Sequence, residues 1–305
     1  MVTSASLPAA PPGAPPDALP RPLADWPLAD RRGIVGVLTD IDDTLTTDGA
    51  ITPDALQALA DLRAAGLHAV CITGRPVGWS EPFARTWPVD AIVAENGAVA
   101  LTLDQNKTGL QHPPHLRGVL SKTDQQDAAT RARNFARMQA IAQRVLTEIP
   151  GTTLATDSPG RETDIAIDHS EFVHLPQATI DRVVALLRSE GMHATVSSIH
   201  INGWFGDHDK LSGARWIVRS LWGRDLDAEI DRWVYVGDST NDQAMFARFP
   251  HSVGVANVDR FLPVMTARPR WRTQGARGAG FNETVRAILA ARPESAGCSP
   301  VPSPT

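Results

Sequence analysis

Residues 33–43 read GIVGVLTDIDD, an apolar run with three carboxylates in its last four positions. A stretch this continuous has no polar face to show to water, so it fits a strand buried on both sides in a parallel sheet. The segments that follow supply the alternation such a sheet needs. Thr52 and Pro53 open a helix with Ala55, Leu56, Leu59 and Leu62 on its apolar face and Gly66 at its end. A second buried strand, HAVCIT, runs from His68 to Thr73. The expected fold class is α/β, a doubly wound parallel sheet with right-handed crossovers.

Further strands are expected at 91–94 and 99–103, a loop over 105–121 and a long helix over 128–148. Residues 165–168, 177–189, 194–196 and 199–205 read as strand, helix, strand and strand, a separate small α/β layer. The core pattern resumes with a helix at 210–222, a strand at 233–236, a helix near 242–247, a strand at 253–255 and a helix at 281–291. The expected division is a core of 33–103 and 206–291 with an inserted layer of 104–205. Eight of the 24 prolines fall within residues 1–30 and four more after Arg292, so 1–32 and 292–305 are expected to be disordered tails. The string GARGAGF at 275–281 reads as a flexible connection to the last helix.

The balance of 34 acidic against 29 basic residues, a net charge of -5, offers no positive field for nucleic acid or an anionic membrane. No apolar stretch approaches the ~18 residues of a membrane span, and the N-terminus lacks the pattern of a signal peptide. Cys71 and Cys298 form neither a disulfide framework nor a zinc cluster. A soluble cytoplasmic protein is expected, without nucleic-acid or membrane partners.

In open parallel sheets ligands bind at the carboxyl ends of the strands, which is where Asp40, Asp42 and Asp43 stand. Asp238 and Asp242, in VGDSTND, follow the strand at 233–236 in the same way. Carboxylates there cap a turn or meet solvent in the bland reading; in the functional one, a cation or a proton offsets their repulsion. Two such strand ends can share one hard divalent cation, and an all-oxygen set suits Mg²⁺. Thr73, followed by Gly74 and Arg75, closes the second strand, and Lys210 opens a helix before the Asp238 strand.

Four strings in this order, DIDDT, ITGR, DHDKLSG and GDSTND, resemble the motifs of the haloacid dehalogenase superfamily of phosphatases. The roughly 135 residues between Thr73 and Lys210 match members with an α/β cap inserted there, and AENGA at 94–98 is similar to the sugar-phosphatase branch. The resemblance implies that Asp40 is the nucleophile, forming an aspartyl-phosphate, and that Asp42 is the general acid and base. It implies that Thr73 and Lys210 hold the phosphoryl oxygens. Mg²⁺ would be held by the Asp40 side chain, the Asp42 backbone carbonyl and Asp238, with Asp242 orienting Lys210 or a metal-bound water. Asp42 stands where true dehalogenases carry an aromatic residue, which favours phosphate esters, and Leu211 follows Lys210 where many relatives have glycine.

The implied substrate is a small phosphorylated metabolite, foremost a sugar phosphate. A phosphosugar mutase and a non-catalytic phospho-ligand-binding module are the alternatives. In SIHINGWF, strand alternation puts Ser198, His200, Asn202 and Trp204 on one face, which either meets substrate or is the solvated side of a cap sheet. His200 and Asn202 are candidate substrate contacts, as are Arg75, Asn96 and Asn241. Arg75 reads equally as the structural partner of a nearby acid, and Asn96 as the shaper of its own turn.

Overall fold

The computed structural model describes residues 19–104 and 118–292. In chain order its strands are β1 (Arg21–Pro22), β2 (Gly36–Thr39), β3 (Thr46–Thr47), β4 (Ala50–Ile51), β5 (His68–Ile72), β6 (Ala91–Ala94), β7 (Val99–Asp104) and β8 (Val119–Asp124). They continue with β9 (Thr153–Leu154), β10 (Asp164–Asp168), β11 (His193–Val196), β12 (His200–Trp204), β13 (Trp233–Gly237), β14 (His251–Gly254) and β15 (Trp271–Arg272). The helices are α1 (Leu28–Arg32), α2 (Pro53–Ala64), α3 (Val77–Thr86), α4 (Ala128–Glu148), α5 (Gln177–Ser189), α6 (Lys210–Trp222), α7 (Gln243–Arg248) and α8 (Arg277–Leu289).

Among the described residues nine strands form one sheet in the order β1-β15-β14-β13-β2-β5-β6-β7-β8. All neighbours from β1 to β6 run parallel, while β7 and β8 add an antiparallel edge. Alternation along β2 sends Val37 to the side covered by α2, α3 and α8, and Leu38 to the side covered by α6 and α7. Both faces are thus buried, as the apolar opening run requires, and the fold is a doubly wound α/β sheet. Among the described residues no helix is long and apolar enough to cross a membrane.

Three expectations change. Residues 19–32 are folded: Leu23 and Trp26 are buried, Trp26 stacks on Trp271 at 6.3 Å between ring centroids, and β1 pairs with β15. Prolines are tolerated because this strand forms the sheet edge. The segment expected as loop to residue 121 contains β8, which pairs with β7 from Val119 to Asp124 and so belongs to the large sheet. Residues 105–117, like the outer parts of both expected tails, lie outside the described residues. GARGAGF is no flexible link, because α8 begins at Arg277 and buries Gly278, Gly280 and Phe281.

Between Asp124 and Lys210 a separate antiparallel sheet, β11-β12-β10-β9, packs α4 and α5 on one face through Met138, Ile141, Val145, Val183 and Leu187 against Ile165, Ile167 and Ile201. His200 and Asn202 take the opposite side from Ile201, as alternation dictates.

The chain returns to the core past His208, a buried ring with no hydrogen-bond partner on either nitrogen among the described residues, stacked on Trp204. Burial, with the neighbouring His193 charge, pushes its pKa down from 6.5 to about 4. The unfolded chain therefore takes up a proton first, and stability falls as pH drops from ~6.5 towards 4. Between pH 7 and 4.5 this group alone is expected to cost about 2 to 3 kcal/mol. Urea midpoints of wild type and His208→Gln at the two pH values check it; parallel losses in both proteins would refute the assignment.

Candidate active site

Parallel pairing of β2 with β13 sets two carboxyl strand ends side by side. The Asp40 N–H donates to the Val236 carbonyl at 2.9 Å, so Asp40 and Asp238 emerge next to each other. Lys210, in the first turn of α6, donates to Asp40 Oδ1 and Asp242 Oδ1, each at 2.7 Å. All four side chains are buried. The approach of α6 depends on Gly97 and Gly213, which lie face to face; a Cβ on Gly97 would stand 2.2 Å from the Asp209 carbonyl oxygen.

Burial raises the Asp40 carboxyl to about 7, with the Lys210 cation opposing and Asp242 and Asp42 adding to the rise. Asp238 is raised well above the usual carboxylate range by burial and by the charges of Asp40, Asp242 and Asp43. Its Oδ1 is buried without a partner among the described residues, while Oδ2 accepts from Asn257 Nδ2 at 2.9 Å. One oxygen each of Asp40, Asp238 and Asp242 falls within 4.8 Å of the others. Three carboxylates gathered around an orphaned oxygen, with Lys210 on two of them and Arg260 3.5 Å from Asp238 Oδ2, fit a hard divalent cation.

Asp242 is the least available of the three. Its Oδ1 accepts from Lys210 and the Tyr235 hydroxyl, and its Oδ2 from the Asp238 and Ser239 N–H groups at 3.0 and 3.1 Å. Four donors occupy its lone pairs, so it orients Lys210, and Asp40 and Asp238 are the carboxylates left for a metal. The Asp42 carboxylate is also engaged elsewhere, on Arg75.

Thr73 ends up beneath the same rim, its Oγ1 accepting from the Arg75 N–H at 3.0 Å. A cavity of about 630 Å³ lies on the Asp42 side of this rim, lined by Asp42, Arg75, Glu171, Phe172, Ser198 and Arg260 among others. Of the five expected substrate contacts only Arg75 lines it. Asn202 donates to the Gly74 carbonyl at 3.3 Å and to Asp164 at 2.9 Å, and Asn96 packs beside it where a side chain on residue 74 would stand. Both fill the joint between the insert and the core, where Gly74 admits them because it has no side chain. His200 is buried with Nε2 on Glu171 Oε2 at 2.8 Å. Asn241 accepts from Ser239 Oγ at 2.7 Å and shapes the turn after β13.

Several residues escape the motif reading. Asn257 ties Asp238 to the Asp43 carbonyl at 3.0 Å, and Asp43, at φ 56°, lies between Arg260 and Arg277 at 3.0 Å from each. Asn257 follows the carboxyl end of β14, so the strand-end rule that found Asp238 points to it as well.

The haloacid dehalogenase-like hydrolase family matches residues 37–116. No curated protein matches the chain. Among solved structures, a protein of Thermoplasma acidophilum is similar at 15% identity and TM-score 0.60, over 84% of this chain and 98% of its own. A HAD/COF-like hydrolase of Plasmodium vivax gives 15% and 0.60, over 87% and 99%. The sucrose-phosphatase of Synechocystis sp. PCC6803, solved with sucrose and phosphate, gives 15% and 0.56, over 85% and 98%. Family match and fold agree with the resemblance carried by the four motifs.

Proposed function

We propose that this haloacid dehalogenase-like hydrolase is a Mg²⁺-dependent phosphomonoesterase of the cytoplasm that acts on a small phosphorylated metabolite, a sugar phosphate, through an aspartyl-phosphate on Asp40. The observation that carries the reading is the buried cluster of Asp40, Lys210 and Asp238, with its orphaned oxygen, joined through Arg260 to a polar cavity that Asp42 and Arg75 line. The sugar is suggested by the likeness to the sucrose-phosphatase. Residues 125–209 are proposed as the cap.

In the first step an Asp40 oxygen forms a bond to phosphorus as the ester P–O bond breaks, and Asp42 passes a proton to the leaving oxygen. Water then attacks the aspartyl-phosphate while Asp42 takes a proton back, releasing phosphate and restoring Asp40. Lys210 offsets the charge of Asp40 throughout, and Thr73 offers its hydroxyl to the phosphoryl group. Mg²⁺ on Asp40 and Asp238 would supply further charge neutralisation of the phosphoryl oxygens.

Phosphate release from hexose phosphates and p-nitrophenyl phosphate tests the reading. Activity is expected with Mg²⁺, with a fall of on the order of 10²-fold or more in EDTA that added Mg²⁺ reverses. An isomeric sugar phosphate without free phosphate would identify a mutase, and binding without turnover a binding module.

A further inference from the structure

Arg75 stands where the insert meets the acid. Its guanidinium is buried, lies 4.9 Å from the Trp79 ring centroid and faces three carboxylates. Nε and Nη2 grip Asp42 at 2.9 to 3.0 Å, Nη1 donates to Asp157 Oδ2 at 3.0 Å, and Nη2 donates to Glu171 Oε1 at 2.8 Å. Asp42 belongs to the core, while Asp157 and Glu171 belong to the insert and flank β10 on either side.

Both insert carboxylates are anchored from behind. Asp157 also accepts from Arg161 Nη2 at 2.9 Å, and Arg161 is fixed in turn on Asp164 at 2.8 Å and on the Gly74 carbonyl at 2.9 Å. The second oxygen of Glu171 is held by His200. Burial pushes the Glu171 carboxyl up, but the hydrogen bonds from His200 and Arg75 outweigh it and hold it down at about 2.

We propose that Arg75 is a positioning residue through which Asp157 and Glu171 of the insert hold Asp42 in place, so that proton delivery to the leaving group depends on contact between insert and core. The inference rests on the phosphatase reading. A guanidinium is a planar fork whose bidentate grip fixes the plane of its partner. With Asp42 as its single partner, Arg75 would keep donors free towards an open cavity and a long side chain free to change rotamer. The two anchored carboxylates remove that freedom, and the Asp42 carboxylate inherits the order.

The consequence is chemical. A glycerol or hexose leaving oxygen needs the proton from Asp42 as its P–O bond breaks, whereas p-nitrophenolate leaves without one. Disordering Asp42 therefore penalises the alkyl esters selectively, in kcat more than in KM. A role in packing alone would lower both substrate classes together.

The test measures kcat and KM on glycerol 1-phosphate, glucose 6-phosphate and p-nitrophenyl phosphate for wild type, Glu171→Gln, Asp157→Asn and Arg75→Lys. Glu171→Gln is the mildest change, on a partly exposed side chain. Each variant is expected to lower the ratio of alkyl to aryl kcat ten-fold or more, Arg75→Lys included, because it keeps the charge and loses the fork. Equal losses on both ester classes, or none on either, would overturn the inference while leaving the phosphatase reading standing. Wild type that releases phosphate from no ester would overturn both.

Discussion

Asp40→Asn is expected to cut phosphate release by on the order of 10³-fold or more while the protein stays folded. The amide keeps the size of the carboxyl and an oxygen for Lys210 Nζ, now 2.7 Å away, but cannot form the acyl-phosphate. The fold has no reason to suffer, because burial already works against the Asp40 charge, with the carboxyl raised to about 7. Steady-state release of phosphate and urea unfolding check the two halves of the prediction. An Asp40→Asn protein that turns over at a tenth of the wild-type rate would remove the nucleophile from the scheme.

Lys210→Met is expected to fail on both counts. Lys210 Nζ is the cation that sits between Asp40 and Asp242, so its loss leaves two buried carboxylates facing each other with the Tyr235 hydroxyl as one remaining donor on that side. Breaking a buried pair by removing one partner costs about 3–5 kcal/mol. The sign with pH follows from the raised Asp40 carboxyl. Lys210 opposes the rise of the Asp40 carboxyl, so without it Asp40 holds its proton more tightly and the variant loses stability more steeply than wild type as pH rises, which makes the deficit larger at pH 8 than at pH 6. Adding Asp40→Asn to Lys210→Met should restore part of the loss by the same route. Urea midpoints at the two pH values measure it, and a deficit that grows on acidification would show that the charge balance is drawn wrongly. Activity should be lost in Lys210→Met at either pH.

The core was legible because its signals are local. The apolar run before Asp40 announces a buried strand, and the rule that ligands gather at strand ends turns Asp40, Asp42, Thr73 and Asp238 into one rim before any contact is known. In the structure Asp40, Lys210, Asp238 and Asp242 lie together. What stayed hidden depends on contacts made far along the chain. Alternation places His200 and Asn202 on the side of the insert sheet opposite Ile201, but nothing local reveals that Glu171 and the Gly74 carbonyl already occupy their polar groups. Asp157 and Glu171 lie in irregular segments with no period to mark them, and their meeting with Arg75 spans 82 and 96 residues. The N-terminal stretch misled for a different reason. Its prolines spoke of a tail, while the two residues that fix it, Leu23 and Trp26, become informative only once Trp271 is seen beside them.

The short pairing of β1 with β15 has a bearing on self-association. The Arg21 N–H turns inward to the Arg270 carbonyl, so the next position, whose donor would face outward, is Pro22, which has no hydrogen to give. An approaching strand from another molecule meets a missing donor flanked by a guanidinium, both of which discourage sheet-to-sheet growth. Among the described residues, Arg21 and Pro22 thus work as a seal against polymerisation on the parallel side of the large sheet, independently of anything that happens at the carboxyl ends of its strands.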